Sequence, residues 1–344
     1  MASTDTTALA AEYETLTERC GLVDRSERGK LALTGEDAVE FLNGQVTNEL
    51  LDLVPGQGRY AAFLTHKGKM LGDLRILAAG EPGAAPDELL LDTERMALQA
   101  LFDMIRRFKV GYRVELHKRT LESSLLSLVG PGAEEVLRAA RDDGGTTRSG
   151  QTSAAGQTSA ELPDREHDHM PDTIAGTIVR LIRTDLGVDV LLDSAGIEVV
   201  REALENAGAV PVSESAAEIL RVESGRPRYG IDMDASTIPQ EAGLNERAVS
   251  FTKGCYVGQE TVARLHYKGK PNRHLRGLRL LWPTPPGAEL HLGERAVGHL
   301  GSAVLSPKNG PIGLALVRRE AAPGATVQLG ADGASAVVVE LPFG

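Results

Sequence analysis

Residues 250–264 read SFTKGCYVGQETVAR and hold the densest chemistry in the chain. One of its two cysteines, Cys255, lies here with Lys253, Tyr256, Gln259 and Glu260, between Gly254 and Gly258, which permit a close backbone approach. In an extended chain, side chains two positions apart share a face, so Lys253 and Cys255 fall together and the ammonium favours the thiolate. A nucleophilic or metal-binding thiol is one reading. The other is a small buried cysteine in a glycine turn, with Lys253 turned to solvent. Spacing alone leaves both open.

Downstream of Pro271 the chain breaks into short apolar segments separated by Gly and Pro: LRGLRLL, RAVGHL, SAVLS, IGLALVRR, ATVQLG and ASAVVVEL. Such turn-separated strands predict a small β-barrel or sandwich of about seventy residues, with a boundary near 271–278. Upstream, Lys30–Thr34, Arg59–Thr65, Asp73–Ala79, Glu88–Asp92 and Tyr112–His117 have strand composition. TGEDAVEFLNGQVTNELLDL, opening at Thr34 as cap, places Val39, Leu42, Val46 and Leu50 at helical spacing, with a break expected near Asn43–Gly44. A second helix after Thr93 carries Leu98, Leu101, Ile105 and Phe108 on one stripe and Arg106, Arg107 and Lys109 at its C-terminal end. Ile178–Arg183 and Val188–Asp193 form an expected hairpin, and helices follow at Val199–Ala207 and Ser215–Val222.

Residues 141–173 turn to Gly, Ser, Thr, Ala and Gln, and GQTSA occurs twice, at Gly150–Ala154 and Gly156–Ala160, which reads as a flexible insertion. It ends in REHDHM, where His167 and His169 alternate with acids. A metal site needs three or four converging ligands, so the preferred reading is a solvated acid–histidine run and no metal site is expected.

The 344 residues are 42% hydrophobic and 25% charged, ordinary for a globular chain of two or three domains. No apolar run reaches bilayer length and the N-terminus lacks a secretory pattern, so neither membrane nor export is expected and the cytoplasm is the default. Two cysteines, Cys20 and Cys255, exclude a disulfide framework and any cysteine-only zinc or cluster site within one chain. A net charge of −11 opposes general nucleic-acid binding.

KGCYVGQETVAR closely resembles the K-G-C-Y-x-G-Q-E segment of YgfZ-type folate-binding proteins, whose mitochondrial relatives assist late iron–sulfur cluster assembly. The resemblance extends over about residues 15–344, excepting the insertion. GLVDRSERGKLALTGEDAVEFLNGQVTNEL is similar to the opening of both this family and the glycine-cleavage T protein, and RYAAFLTHKGKMLGDLRI and LRVESG fit as well. It implies an α+β, three-domain, cloverleaf-like aminomethyltransferase fold around a central folate channel. An aminomethyltransferase-like region of two α+β subdomains would span 15–274, and a C-terminal β-barrel 275–344.

The resemblance also implies tetrahydrofolate or a one-carbon derivative as ligand, with Arg221 of LRVESG near the pterin and Asp189 of GVDVLL where the T protein has a pterin-binding glutamate. The alternatives are a structural salt bridge for Arg221, with Glu223 or a neighbour, and an exposed strand acid for Asp189. Tyr256, Gln259 and Glu260 are further folate candidates, and Cys255 with Lys253 the functional centre. T proteins carry paired aspartates where this chain has Gly72 and Asp73, so glycine cleavage is not expected, and Asp73 reads equally as a strand-edge surface acid. The implied role is a folate-binding accessory to iron–sulfur assembly factors or client iron–sulfur enzymes, touching tRNA modification indirectly. The alternatives are a folate-dependent aminomethyl- or methyltransferase and a non-catalytic interaction module.

Overall fold

A computed structural model describes residues 2–142, 161–330 and 334–344. The chain runs through α1 (Ala2–Glu18), β1 (Gly21–Asp24), β2 (Gly29–Thr34), α2 (Ala38–Asn43), β3 (Gly58–Leu64), β4 (Met70–Ala79), β5 (Glu88–Thr93), α3 (Leu98–Phe108) and β6 (Glu115–Lys118). It continues through β7 (Ser123–Val129), α4 (Ala133–Asp142), β8 (His169–Ile174), β9 (Thr177–Arg183), β10 (Gly187–Asp193), α5 (Ile197–Asn206), β11 (Val210–Pro211), α6 (Glu214–Glu223), α7 (Asn245–Ala248) and α8 (Gln259–Lys268). It ends in β12 (Arg273–Leu280), β13 (Glu289–Leu292), β14 (Arg295–Ser306), β15 (Gly310–Arg318), β16 (Thr326–Leu329) and β17 (Ala334–Val339).

The strands build two sheets and a barrel. The first sheet has the order β3-β4-β5-β2-β6, the second β11-β1-β7-β10-β9-β8, and β12-β15-β14-β13-β16-β17 close on themselves. This is the expected α+β architecture, with a closed barrel at the C-terminus. Closure removes the two free edges that a six-stranded sheet would otherwise expose. Its first strand opens at Arg273, two residues before the position read from sequence. Among the described residues, no helix is long and apolar enough to cross a membrane.

Period two in β4 decides what lies between the sheets. Leu74, Ile76 and Ala78 point into a core shared with Phe41 and Leu42 of α2 and Leu101 and Ile105 of α3. Asp73 and Arg75 therefore point to the other face, where Arg75 meets Asp189 of β10. The second sheet buries its own core under α4 and α5, with Leu128, Leu137, Val190 and Leu204.

Three local expectations fail for identifiable reasons. Thr34 ends β2 and bonds His117 Nε2 at 2.8 Å, so it caps no helix; α2 starts after Asp37. The turn between them needs Gly35, whose φ is +109° and where a Cβ would sit 2.1 Å from the Arg113 carbonyl. Tyr112 and Arg113 precede β6, which begins at Glu115. The insertion read as 141–173 has residues 143–160 outside the described residues, but its end is a strand: β8 pairs antiparallel with β9 from His169↔Ile182 to Ile174↔Thr177. The expected hairpin of β9 and β10 is thus the inner part of a three-stranded meander.

Candidate functional site

A cavity of about 230 Å³ lies where the two sheets meet. Its floor is a relay of charges contributed by strands of both sheets. Arg28 reaches Asp92 at 2.8 Å and Glu94 at 2.6 Å; Arg75 reaches Asp92 at 2.9 Å and Asp189 at 2.7 Å. Ser127 Oγ donates to the other Asp189 oxygen at 2.6 Å, which completes that carboxylate. Burial pushes the Asp92 carboxyl up, but the Arg28 and Arg75 guanidiniums outweigh it and hold Asp92 below its ordinary range. The roof is looser. Glu166 accepts from Arg226 at 2.9 Å and from Arg247 at 2.8 Å, all three partly exposed.

Asp73 is the group in this cavity with chemistry to offer. Tyr60 O–H donates to its Oδ2, whereas Oδ1 is buried with no hydrogen-bond partner among the described residues. Burial is the largest influence and pushes its carboxyl up to about 6, against the opposing Tyr60 hydrogen bond. A carboxyl poised there can hold or release a proton near neutral pH. The sequence reading as a strand-edge surface acid is corrected: β4 lies between β3 and β5, and its polar face is covered. Position 72 takes no second acid, because a Cβ on Gly72 would stand 2.6 Å from both Ala97 Cβ and the Phe63 ring.

Residues 2–253 match the GCVT N-terminal domain. The chain belongs to this family. An aminomethyltransferase of Rubrobacter xylanophilus is 30% identical over 344 residues, covering 97% of this chain and 86% of that protein. A putative chloroplastic transferase of Arabidopsis thaliana is 29% identical over 327 residues, covering 94% and 71%. The crystal structure of the glycine cleavage system aminomethyltransferase T of Bartonella henselae superposes with a TM-score of 0.81 at 24% identity, over 98% of this chain and 89% of that one. The GCVT-type fold is therefore common to both.

Within this GCVT fold the sequence-derived residues separate into two places. Asp189 and Arg221 line the cavity; Lys253, Cys255, Tyr256, Gln259 and Glu260 do not. Asp189 is buried, which removes the exposed-acid reading, and both of its oxygens are engaged. Arg221 is held by Glu218, Ser302, the Arg226 carbonyl and, at 2.9 Å, Asp232; Glu223 instead accepts from Tyr13, Ser306 and Asn309.

The motif loop inverts the pairing expected of it. Lys253 is buried and donates to the carbonyls of Asn43, Val46 and Asn48 at 2.7, 2.9 and 2.6 Å, while Cys255 is exposed. The two side chains do not share a face, because the loop bends at 251–253 and turns at Gly258 into α8. Burial lowers the Lys253 ammonium to about 8, and its hydrogen bonds are spent on the chain reversal after α2. Gly254 has open space around it. Gly258 is the close-approach glycine: φ is +86° and a Cβ would lie 2.5 Å from the Thr65 carbonyl, so the loop is clamped to the β3–β4 hairpin. Tyr256 packs in a core with Leu64 and Val262, Gln259 reaches the Gly254 carbonyl at 3.3 Å, and Glu260 is exposed.

Sequence reasoning passed over Arg28, Tyr60, Arg75, Asp92 and Glu166, and weighed His167 only as a metal ligand. Charged residues at period two inside an apolar strand, as in GDLRIL, were the available signal for Arg75. In the REHDHM run, among the described residues, no group of three potential metal ligands converges. Nor is the run solvated. Burial, then the Arg75 charge, pushes His167 down to about 4; burial, then Arg180, pushes His169 down to about 3. Both folded values lie below the ordinary histidine range, so the unfolded chain binds protons first and stability is lost as pH falls from about 6.5 toward those values. Asp73, raised to about 6, contributes with the opposite sign between 6 and 3.8. Two groups against one give an expected net loss of about 2 kcal/mol between pH 7 and pH 5. Urea midpoints at the two pH values measure it, and an unchanged midpoint would put both rings in water.

Proposed function

We propose that the chain binds tetrahydrofolate or a one-carbon derivative in the central cavity and serves, in the cytoplasm, as an accessory to iron–sulfur cluster assembly or maintenance, bearing on tRNA modification only through its clients. The observation that carries this reading is the separation of two centres: a proton-active buried cavity, and an exposed Cys255 on a pinned loop outside it. The YgfZ-type motif KGCYVGQE supports the same assignment. Partners would be iron–sulfur assembly factors or client enzymes; exposed Arg264, Lys268 and Lys270 on and after α8 suit an acidic protein surface.

The cavity suits a reduced pterin because it offers a buried acceptor without a protein partner, Asp73 Oδ1, beside a phenol. Asp73 would hold a ring N–H, while Asp189, already bonded to Arg75 and Ser127, would shape the wall. When bound, tetrahydrofolate would accept a one-carbon unit at N5 or N10, and a one-carbon derivative would supply one. Asp73 would hold or move the proton there, and the sheets exclude water.

Asp73 also favours a second reading, a folate-dependent aminomethyl- or methyltransferase. Calorimetry of the full chain with tetrahydrofolate is expected to give micromolar affinity, and absence of heat up to millimolar ligand would overturn the folate assignment. In a reconstituted glycine-cleavage reaction the chain is expected to give no turnover, since Gly72 leaves Asp73 without the second acid; turnover like that of a T protein would establish the transferase reading.

A further inference from the structure

His167 sits where the REHDHM run crosses the cavity, and three independent features of the structure single it out. Its backbone φ is +76°, a left-handed conformation that costs a non-glycine residue energy and is kept only where the surroundings enforce it. The enforcement is visible: the His167 N–H bonds the Arg183 carbonyl at 2.8 Å, and its own carbonyl presses on Gly58, where a Cβ would stand 2.2 Å away. Its ring lines the cavity, with its centroid 6.0 Å from that of Tyr60, the residue that bonds Asp73. Finally, Nε2 lies 3.7 Å from Glu166 Oε1, whereas Nδ1 is buried with no hydrogen-bond partner among the described residues.

The carboxylate beside Nε2 selects the tautomer. A proton on Nε2 faces Glu166 favourably and leaves the lone pair on Nδ1. The imidazole therefore keeps an unpartnered acceptor, Nδ1, within the wall of the cavity. Asp73 Oδ1 is a second such acceptor among the residues that line the cavity, and Tyr60 neighbours both residues, so two acceptors near one phenol have no donor among the described residues. A neutral heterocycle or amide that presents N–H groups satisfies both; an anion does not.

We propose that His167 Nδ1 is a ligand-binding acceptor that recognises an N–H found only on the reduced ring, N5–H or N8–H, and thereby selects that ring over its oxidised form, in which the same nitrogens are bare acceptors. This inference rests on the folate reading above and adds a recognition residue and an oxidation-state preference to it.

The test compares His167→Phe and His167→Gly, which remove the acceptor, with His167→Asn, whose amide oxygen can occupy the Nδ1 position and whose backbone tolerates the left-handed conformation. Gly removes the backbone strain and so tests the contact even if Phe does not fold. Calorimetry with tetrahydrofolate and with folic acid is the readout. Phe and Gly are expected to weaken tetrahydrofolate binding about tenfold and to lose most of the preference over folic acid, while Asn stays within about threefold of wild type. Wild-type affinity and preference in folded Phe and Gly variants would mean that Nδ1 faces water only, and would overturn the proposal alone. No affinity of the wild type for either compound would overturn it together with the folate reading.

Discussion

Replacing Arg75 by Ala is expected to cost about 3–5 kcal/mol of stability, because it strands buried charge on both sides of the cavity floor. Arg75 holds Asp92 at 2.9 Å and Asp189 at 2.7 Å, and all three side chains are about nine-tenths or more buried. Asp92 keeps Arg28, but Asp189 keeps only the Ser127 hydroxyl. A carboxylate left without its cation in that setting must take a proton or draw in water, and both are unfavourable at neutral pH. The control is to remove the pair together: Arg75→Met with Asp189→Leu should recover most of the loss, since a well-packed apolar replacement of a buried ion pair is often neutral. Urea unfolding at pH 7 checks both variants. A single-variant loss under about 1 kcal/mol would mean the relay is open to solvent, as exposed ion pairs contribute that little.

The second large effect concerns Cys255 and falls on function rather than on the fold. Its side chain is exposed, so Cys255→Ala should change stability by no more than about 0.5 kcal/mol. Activity of client iron–sulfur enzymes in cells that depend on this protein should nevertheless be lost. Cys20 supplies the contrast: it is buried, and burial pushes its thiol up to about 11, so it is inert and its Ala variant should lower the melting temperature without loss of function. Full complementation by a stable Cys255→Ala protein would sink the thiol reading. Lys253→Ala is a poor probe of the same question, because it leaves three buried carbonyls without their donor.

What the sequence made legible follows from which interactions are local. Strands such as Glu88–Asp92 and the stripe of Leu98, Leu101, Ile105 and Phe108 show themselves through periodicity; the strand runs Glu88–Thr93 and the helix Leu98–Phe108, with Leu101 and Ile105 buried and Phe108, at the helix end, exposed. The Gly- and Pro-punctuated tail likewise gave a barrel. Asp189 and Arg221 reached the cavity through family resemblance alone. Whether a strand acid is buried depends on the sheet laid over it, whose strands are distant in sequence: Asp189 reaches Arg75 from 114 positions away. The same holds for Lys253, whose three acceptors lie more than two hundred residues upstream. In REHDHM, the adjoining Gly- and Ser-rich composition masked a strand whose pairing partner lies beyond a turn.

The clamp between Gly258 and the β3–β4 hairpin carries one more implication. Gly68, in the turn of that hairpin with φ +73°, packs against Thr261 of α8, and Asp73 lies on β4, the strand that leaves the turn at Met70. Cavity and thiol loop thus share one hairpin: its second strand carries Asp73 into the cavity, and its turn anchors α8 and the loop that holds Cys255.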